Sequence, residues 1–249
     1  MAAIASIFNP SSTNPSGNPI QHLHKHTAQL LDIQVARVEQ MDAHDVEYML
    51  LSLTSPGPQG RSDPVEAAKV ARKANDWLAR SVAKNPARFG ALASVSMHNT
   101  EEAAAEVRRA VNDLGMFGVI INDYQEVEAE GGDEGTGKKW YNTHEYQPFW
   151  KEVEQLGVPV YLHPRYPPNK ELEPLGAGEA DGKGEGPTRD VKVHKGRGEK
   201  GWWAQRKHLL GAAVQFHLDL SKHLYAICSG GVFDEFPGVQ VVVGHLGEG

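Results

Sequence analysis

QPFWKEVEQLGVPVYLHPRYP, residues 147–167, reads first as a helix, QPFWKEVEQLG, and then as a short apolar strand, VPVYLHP. His163 ends that strand, and Pro164 lacks the N–H that strand pairing would need to continue. The same alternation repeats on both sides. Upstream, MFGVIIN (116–122) is a strand preceded by NTEEAAAEVRRAVNDLG (99–115), a helix with acidic residues in its first turn and Gly115 at the C′ position. Before that, RFGALASVS (88–96) is a strand. It follows SDPVEAAKVARKANDWLARSVAKNP (62–86), where Asp63 is the expected N-cap, Pro64 the first helical residue, and Val70, Ala74, Leu78 and Val82 one apolar stripe. VEYMLLSL (46–53) is a buried strand after a helix carrying Leu30, Leu31, Val35, Val38 and Met41 at helical spacing. Downstream, AQRKHLLGAAVQFHLDLSKHLYAI (204–227) is helical and VQVVVGH (239–245) is a strand.

Strands separated by helices pair in parallel through right-handed crossovers, which leaves a doubly wound open sheet or a (β/α)8 barrel. No glycine-rich phosphate fingerprint follows the first strand, so nothing supports a nucleotide-binding sheet. In both architectures chemistry sits where strands end. Here those ends carry Ser52, Ser96, Asn122, His163 and His245, and two histidines at such ends favour a metal-using barrel.

The 249 residues suit one large α/β domain, and a hydrophobic content of 40% supplies a sizeable core. A net charge of -7 argues against nucleic acid as a partner, whose footprint is a basic face. No apolar run approaches the roughly 20 residues that span a bilayer, and no polybasic stretch offers itself to a membrane surface. Cys228 is the single cysteine, which excludes an intrachain disulfide and suits a reducing, cytoplasmic setting. Residues 1–27 are expected to form a polar leader rich in Ser, Asn, Pro and Gly, ahead of a domain over 28–249. Two segments break the rhythm: EVEAEGGDEGTGKK (126–139) after one strand end, and the Gly- and charge-rich 168–201 after another. Both read as loop insertions on the side where a barrel places its active site.

His163 could bind a divalent metal through one ring nitrogen if a neighbour orients the other. In VVVGHLGEG (241–249), Glu248 lies three residues beyond His245, a spacing at which a carboxylate can fix an imidazole's tautomer and raise its basicity. Asn122 and Arg165, beside the same strand ends, are the candidates for holding substrate.

The chain resembles the amidohydrolase-related decarboxylases of hydroxylated benzoates, of the 2,3-dihydroxybenzoate and γ-resorcylate type, from about Leu31 almost to its end. The pieces that carry the resemblance are RVEQMDAHDVEYMLLSLTSPGPQG, NDWLARSVAKNPARFGALASV, PVYLHPRYP and GGVFDEFPGVQVVVGHLGEG. It implies a distorted (β/α)8 barrel with one divalent metal (Zn, Mn or Mg), His163 as a ligand, and His245 assisting catalysis with Glu248. It also implies a small aromatic carboxylic acid as substrate and a tendency to homo-oligomers. The metal would grip the substrate carboxylate and ortho hydroxyl, a barrel carboxylate would protonate the ring carbon, and CO2 would leave. On the same platform the alternatives are hydrolysis of a cyclic amide or lactone, and a non-catalytic relative that binds an aromatic acid.

Such enzymes begin with an apolar strand ending in Glu-x-His or His-x-His and carry a metal-binding aspartate after a late strand. The histidines of QHLHKH (21–26), His22, His24 and His26, follow STNPSGNPIQ, which is no strand. They are therefore expected to be a polar lead-in to a helix and not ligands. The expectation is an incomplete barrel with about five of eight strands, most of its metal shell missing and little or no decarboxylase activity.

Overall fold

A computed structural model describes residues 27–128, 136–165 and 214–245. Five strands, β1 (Met49–Leu51), β2 (Phe89–Ser94), β3 (Gly118–Asn122), β6 (Val160–His163) and β7 (Val241–Val243), form one sheet in the order β1-β2-β3-β6-β7. Every neighbouring pair is parallel. The order never reverses, so each right-handed crossover adds its strand to the same growing edge and sends its helix to the same face. A doubly wound sheet needs a reversal to place helices on both faces. The sheet is a curled half-barrel, and the barrel reading holds.

The intervening helices are α1 (Ala36–Ala43), α2 (Pro64–Val82), α3 (Thr100–Asn112), α4 (Gln147–Leu156), α5 (Gln215–Ser229) and the short α6 (Val232–Glu235). Residue alternation separates the two faces of the sheet. Phe89, Ala91 and Ala93 of β2, Val119 and Ile121 of β3, and Val160 and Leu162 of β6 join a core with Leu78, Val107, Phe149, Trp150 and Val153 from the helices. The opposite, inner face carries Leu50, Leu92, Ile120, Tyr161 and Val242, then Asn122 and His163 at the strand ends. Leu50 and Val242, near the two sheet edges, are about half exposed.

Helix starts and stops follow the sequence closely. Asp63 accepts from the Glu66 N–H at 2.7 Å, with Pro64 at the first helical position. Asn99 accepts from the N–H groups of Glu101 and Glu102. Gly115 and Gly157 take φ of +68° and +65°, which glycine adopts without steric cost. Along α2 the buried stripe runs Ala67, Ala71, Ala74 and Leu78, with Val70 and Val82 at its rim.

The first helix departs from expectation. Residues 27–31 are helical, but the chain turns at 33–35 before α1 begins. The Asp32 carboxylate accepts from the Val35 N–H at 3.0 Å and competes with the helix for that donor. The break leaves Val35 61% exposed and buries Ile33 instead, so the expected stripe splits. The segment read as a loop insertion over 126–139 is also corrected in part. Its ends are strands, β4 (Gln125–Glu128) and β5 (Thr136–Lys139), paired antiparallel with Glu126 opposite Lys138. The helix expected from residue 204 is described from Gln215. Residues 1–26, the 168–201 insertion and the histidines at 22, 24 and 26 lie outside the described residues, so those readings are not addressed.

Candidate active site at the strand ends

Asn122 ends β3 and His163 ends β6, and the two are register partners, so their side chains share the inner face. β7 extends the row. Tyr161 and Leu162 pair with Val242 and Val243, and the Gly244 N–H donates to the Leu162 carbonyl at 3.0 Å. A Cβ on Gly244 would lie 2.7 Å from the Tyr161 hydroxyl oxygen, so any side chain there would push that ring aside. His245 follows with φ +56°, a left-handed conformation that a histidine adopts at some cost and that recurs at functional sites.

This backbone brings the two expected histidines together. Their Nε2 atoms are 3.2 Å apart and their rings meet edge to face at 4.9 Å between centroids. Phe216 of α5 packs against the His245 ring at 5.4 Å, and Tyr161 stacks on His163 at 6.2 Å. The His163 Nδ1 lies 2.6 Å from the Pro164 carbonyl oxygen. A carbonyl only accepts, so Nδ1 carries the proton and the Nε2 lone pair points toward His245. That is the tautomer a metal-binding histidine needs. Two nitrogen ligands at ~2.1 Å from one ion, at angles between octahedral and tetrahedral, stand roughly 3.0–3.4 Å apart. The 3.2 Å between the two Nε2 atoms lies in that range and is also a hydrogen-bonding distance, so the described residues offer a divalent ion at most these two nitrogens. Among the described residues no group of three or more His, Cys, Asp or Glu could hold a metal ion. Glu248 lies outside the described residues.

The two residues assigned to substrate are engaged with the protein. The Asn122 amide donates to the Pro56 carbonyl at 3.1 Å and the Gln59 Oε1 at 3.0 Å. Arg165 is 4% exposed. Its guanidinium pairs with Glu126, donates to the Gln59 carbonyl at 3.1 Å and lies 4.3 Å over the Tyr124 ring. Its backbone N–H donates to Asp123 at 3.3 Å, and Gln215 of α5 donates to its carbonyl at 3.2 Å. Of the other strand-end residues, Ser96 is buried and Ser52 exposed.

Several residues that hold this region were not singled out from the sequence. Gln59, on the short 3-10 turn Gly57–Gly60, crosses the strand ends and donates to the Val95 carbonyl at 2.7 Å. Gln125 accepts from the Met97 N–H at 3.0 Å. Asp123, Tyr141 and His223 are essentially fully buried. Burial pushes the Tyr141 phenol well above its ordinary pKa, with smaller contributions from Tyr146 and Asp123. His223 alone had a visible signal, since it occupies an apolar-face position of α5 in line with Phe216, Leu220 and Ile227.

Comparison with known proteins places the chain in a family. The amidohydrolase family model matches residues 22–249. The chain belongs to the amidohydrolase family. It is 36% identical over 222 residues to the γ-resorcylate decarboxylase of Rhodococcus jostii strain RHA1, covering 89% of this chain and 58% of that one. Among solved structures it is similar to a 2,6-dihydroxybenzoate decarboxylase complexed with 2,6-dihydroxybenzoate, at a TM-score of 0.74 and 32% identity, over 98% of this chain and 63% of that one. A dihydroxybenzoic acid decarboxylase from Polaromonas sp. JS666, with bound manganese and the inhibitor 2-nitroresorcinol, gives a TM-score of 0.74 at 31% identity, covering 98% and 61%. This amidohydrolase-family chain thus spans less than two thirds of each of these relatives. Among its described residues no helix is long and apolar enough to cross a membrane.

Proposed function

We propose that the protein is a metal-dependent, non-oxidative decarboxylase of a hydroxylated benzoate. The observation that carries this reading is the convergence of the His163 and His245 Nε2 atoms, 3.2 Å apart at adjacent strand ends. The relatives named as hydroxybenzoate decarboxylases support it.

His163 is the metal ligand in this reading, its lone pair set by the Pro164 carbonyl. A divalent ion there, manganese by analogy with the Polaromonas enzyme, would supply Lewis acidity toward the carboxylate and the ortho phenolate. In the reaction an acid of the site delivers a proton to the carboxylate-bearing ring carbon to form the C–H bond, that carbon's bond to the carboxylate then breaks with its electron pair returning to the ring, and CO2 leaves as aromaticity returns. His245 stands within proton-transfer distance of any group at the His163 lone pair, and Glu248 is assigned to set its protonation state. Asn122 and Arg165 act by positioning: Asn122 anchors the turn carrying Gln59, and Arg165 fixes the backbone just beyond His163. That revises the substrate-holding role expected for both.

The test is incubation of the chain with Mn2+ and, separately, 2,6- and 2,3-dihydroxybenzoate, reading CO2 and the dihydroxybenzene product by chromatography. Release of both, lost in His163→Ala, supports the proposal and ranks the substrates. Absence of CO2 with retained Mn2+ binding, or ring opening of a cyclic amide or lactone under the same conditions, overturns it.

A further inference from the structure

Behind the strand ends is a cluster of buried polar atoms that the proposed chemistry does not use. Asn122 Oδ1, Asp123 Oδ1, the Tyr141 hydroxyl, Arg165 Nε and both ring nitrogens of His223 are buried and have no hydrogen-bond partner among the described residues. Buried polar atoms are nearly always satisfied, and an isolated exception is ordinary where a concentration is not. Asp123, His223, Tyr141 and Arg165 belong to one neighbourhood. Asp123 Oδ1 lies 3.8 Å from His223 Nδ1, the His223 ring meets Tyr141 at 5.3 Å between centroids, and the Asp123 carboxylate accepts the Arg165 N–H.

We propose that this cluster is a binding site for an ordered internal water that bridges Asp123 to His223. The donor set selects the guest. Asp123 offers an acceptor, the Tyr141 hydroxyl can donate or accept, and an imidazole always has a donor to offer. A cation would face the Arg165 guanidinium and an anion the Asp123 carboxylate, so a neutral molecule able to donate and accept is what fits. The gap of 3.8 Å is too long for a direct hydrogen bond. A water about 2.8 Å from both atoms would sit beside that line, with an angle of about 85° at its oxygen, compatible with one bond donated and one accepted.

The water has a structural consequence at the site above. His223 and Gln215 lie on α5, where Gln215 holds the Arg165 carbonyl and Phe216 packs on His245. Asp123 holds the Arg165 N–H from the other side. A water joining Asp123 to His223 closes this bracket around the residue two beyond His163, which makes both residues positioning residues. That consequence rests on the metal reading of His163, whereas the water site does not.

The test is a crystal structure of the full chain at a resolution that shows waters, with the thermal stability of His223→Phe measured alongside. The proposal expects a water within hydrogen-bond distance of Asp123 Oδ1 and His223 Nδ1. It also expects a Tm loss of several degrees in the variant, which keeps a planar aromatic ring but strands the water and Asp123. A direct Nδ1–Oδ1 bond without water, an ion in the site, or an unchanged or raised Tm overturns it. If the variant does not fold, the crystal structure decides. Mn2+ binding by the unaltered chain separately reports on the metal reading, so failure of one inference is distinguishable from failure of the other.

Discussion

Replacing Arg165 with Met separates the two roles a buried arginine next to a metal ligand can play. The side chain is 4% exposed and pairs with Glu126, whose own side chain is 15% exposed. It also satisfies the Gln59 carbonyl and covers the Tyr124 ring. Met retains much of the stem and its packing but removes the charge and all donors. Breaking a buried pair on one side leaves an uncompensated carboxylate and costs about 3–5 kcal/mol. In a chain of this size 1 kcal/mol moves Tm by roughly 2–4 °C, so a fall on the order of 10 °C is expected. Adding Glu126→Gln to Arg165→Met should recover a large part of that loss, because the stranded carboxylate is gone. Urea titration of the four members of this cycle gives the coupling between the two residues directly. A variant within 1 kcal/mol of the parent that has nevertheless lost aromatic-acid binding would refute the positioning role and restore Arg165 to the substrate.

Other consequences are as specific. Asn75→Ala should cost about 2–4 kcal/mol, read from denaturant midpoints. Asn75 accepts from the Ser94 N–H at 2.8 Å and donates to the Ser94 carbonyl at 2.9 Å, and Ala orphans both buried backbone groups. His163→Ala should weaken Mn2+ binding by at least tenfold in an electron paramagnetic resonance titration, while Asp63→Ala, at the exposed N-cap of α2, leaves it unchanged and costs about 1 kcal/mol of stability. Tyr146 and Tyr141 are held neutral by burial above the ordinary phenol value of 10.0. The unfolded chain therefore releases these protons first, and their contribution to stability, intact below about pH 10, declines as pH rises above it. Absorbance at 295 nm should show these two phenols ionising only together with loss of the circular dichroism signal. Ionisation of all seven tyrosines in the folded state would contradict that burial.

What could be read in advance was what is encoded locally. Buried parallel strands are continuous apolar runs, so GVIIN and VYLH announced themselves. Asp63-Pro64 marked the start of α2 as its cap, and the acidic first turn marked the start of α3, whose cap proves to be Asn99. Strand order is a property of pairs and is absent from any one segment, so the apolar runs alone left both the open sheet and the barrel standing, and only the strand-end histidines and the family resemblance tilted the reading to the barrel that the strand order then showed. The α1 break shows a nearby polar side chain overriding apolar spacing. The β4–β5 hairpin was hidden because its pairing signal is charge, Glu126 against Lys138, and not alternating hydrophobicity.

The site divides along the same line. His163 and His245 were visible as polar residues ending apolar strands, but the clamp around them joins residues 106 apart, as in the Arg165–Gln59 bond, and no local pattern encodes such a distance. His223 sits between these cases. Its place among Phe216, Leu220 and Ile227 on α5 marks it as buried, and a buried imidazole needs partners for both nitrogens. Helical spacing shows that such partners must exist. Only the folded chain shows that Asp123, adjacent to the strand-end Asn122, is the group that approaches it. A titratable residue on an apolar helix face is therefore a sequence-level pointer to a polar network. In this chain that network, with the proposed water, leads from α5 through Asp123 to Arg165, two residues beyond the end of β6.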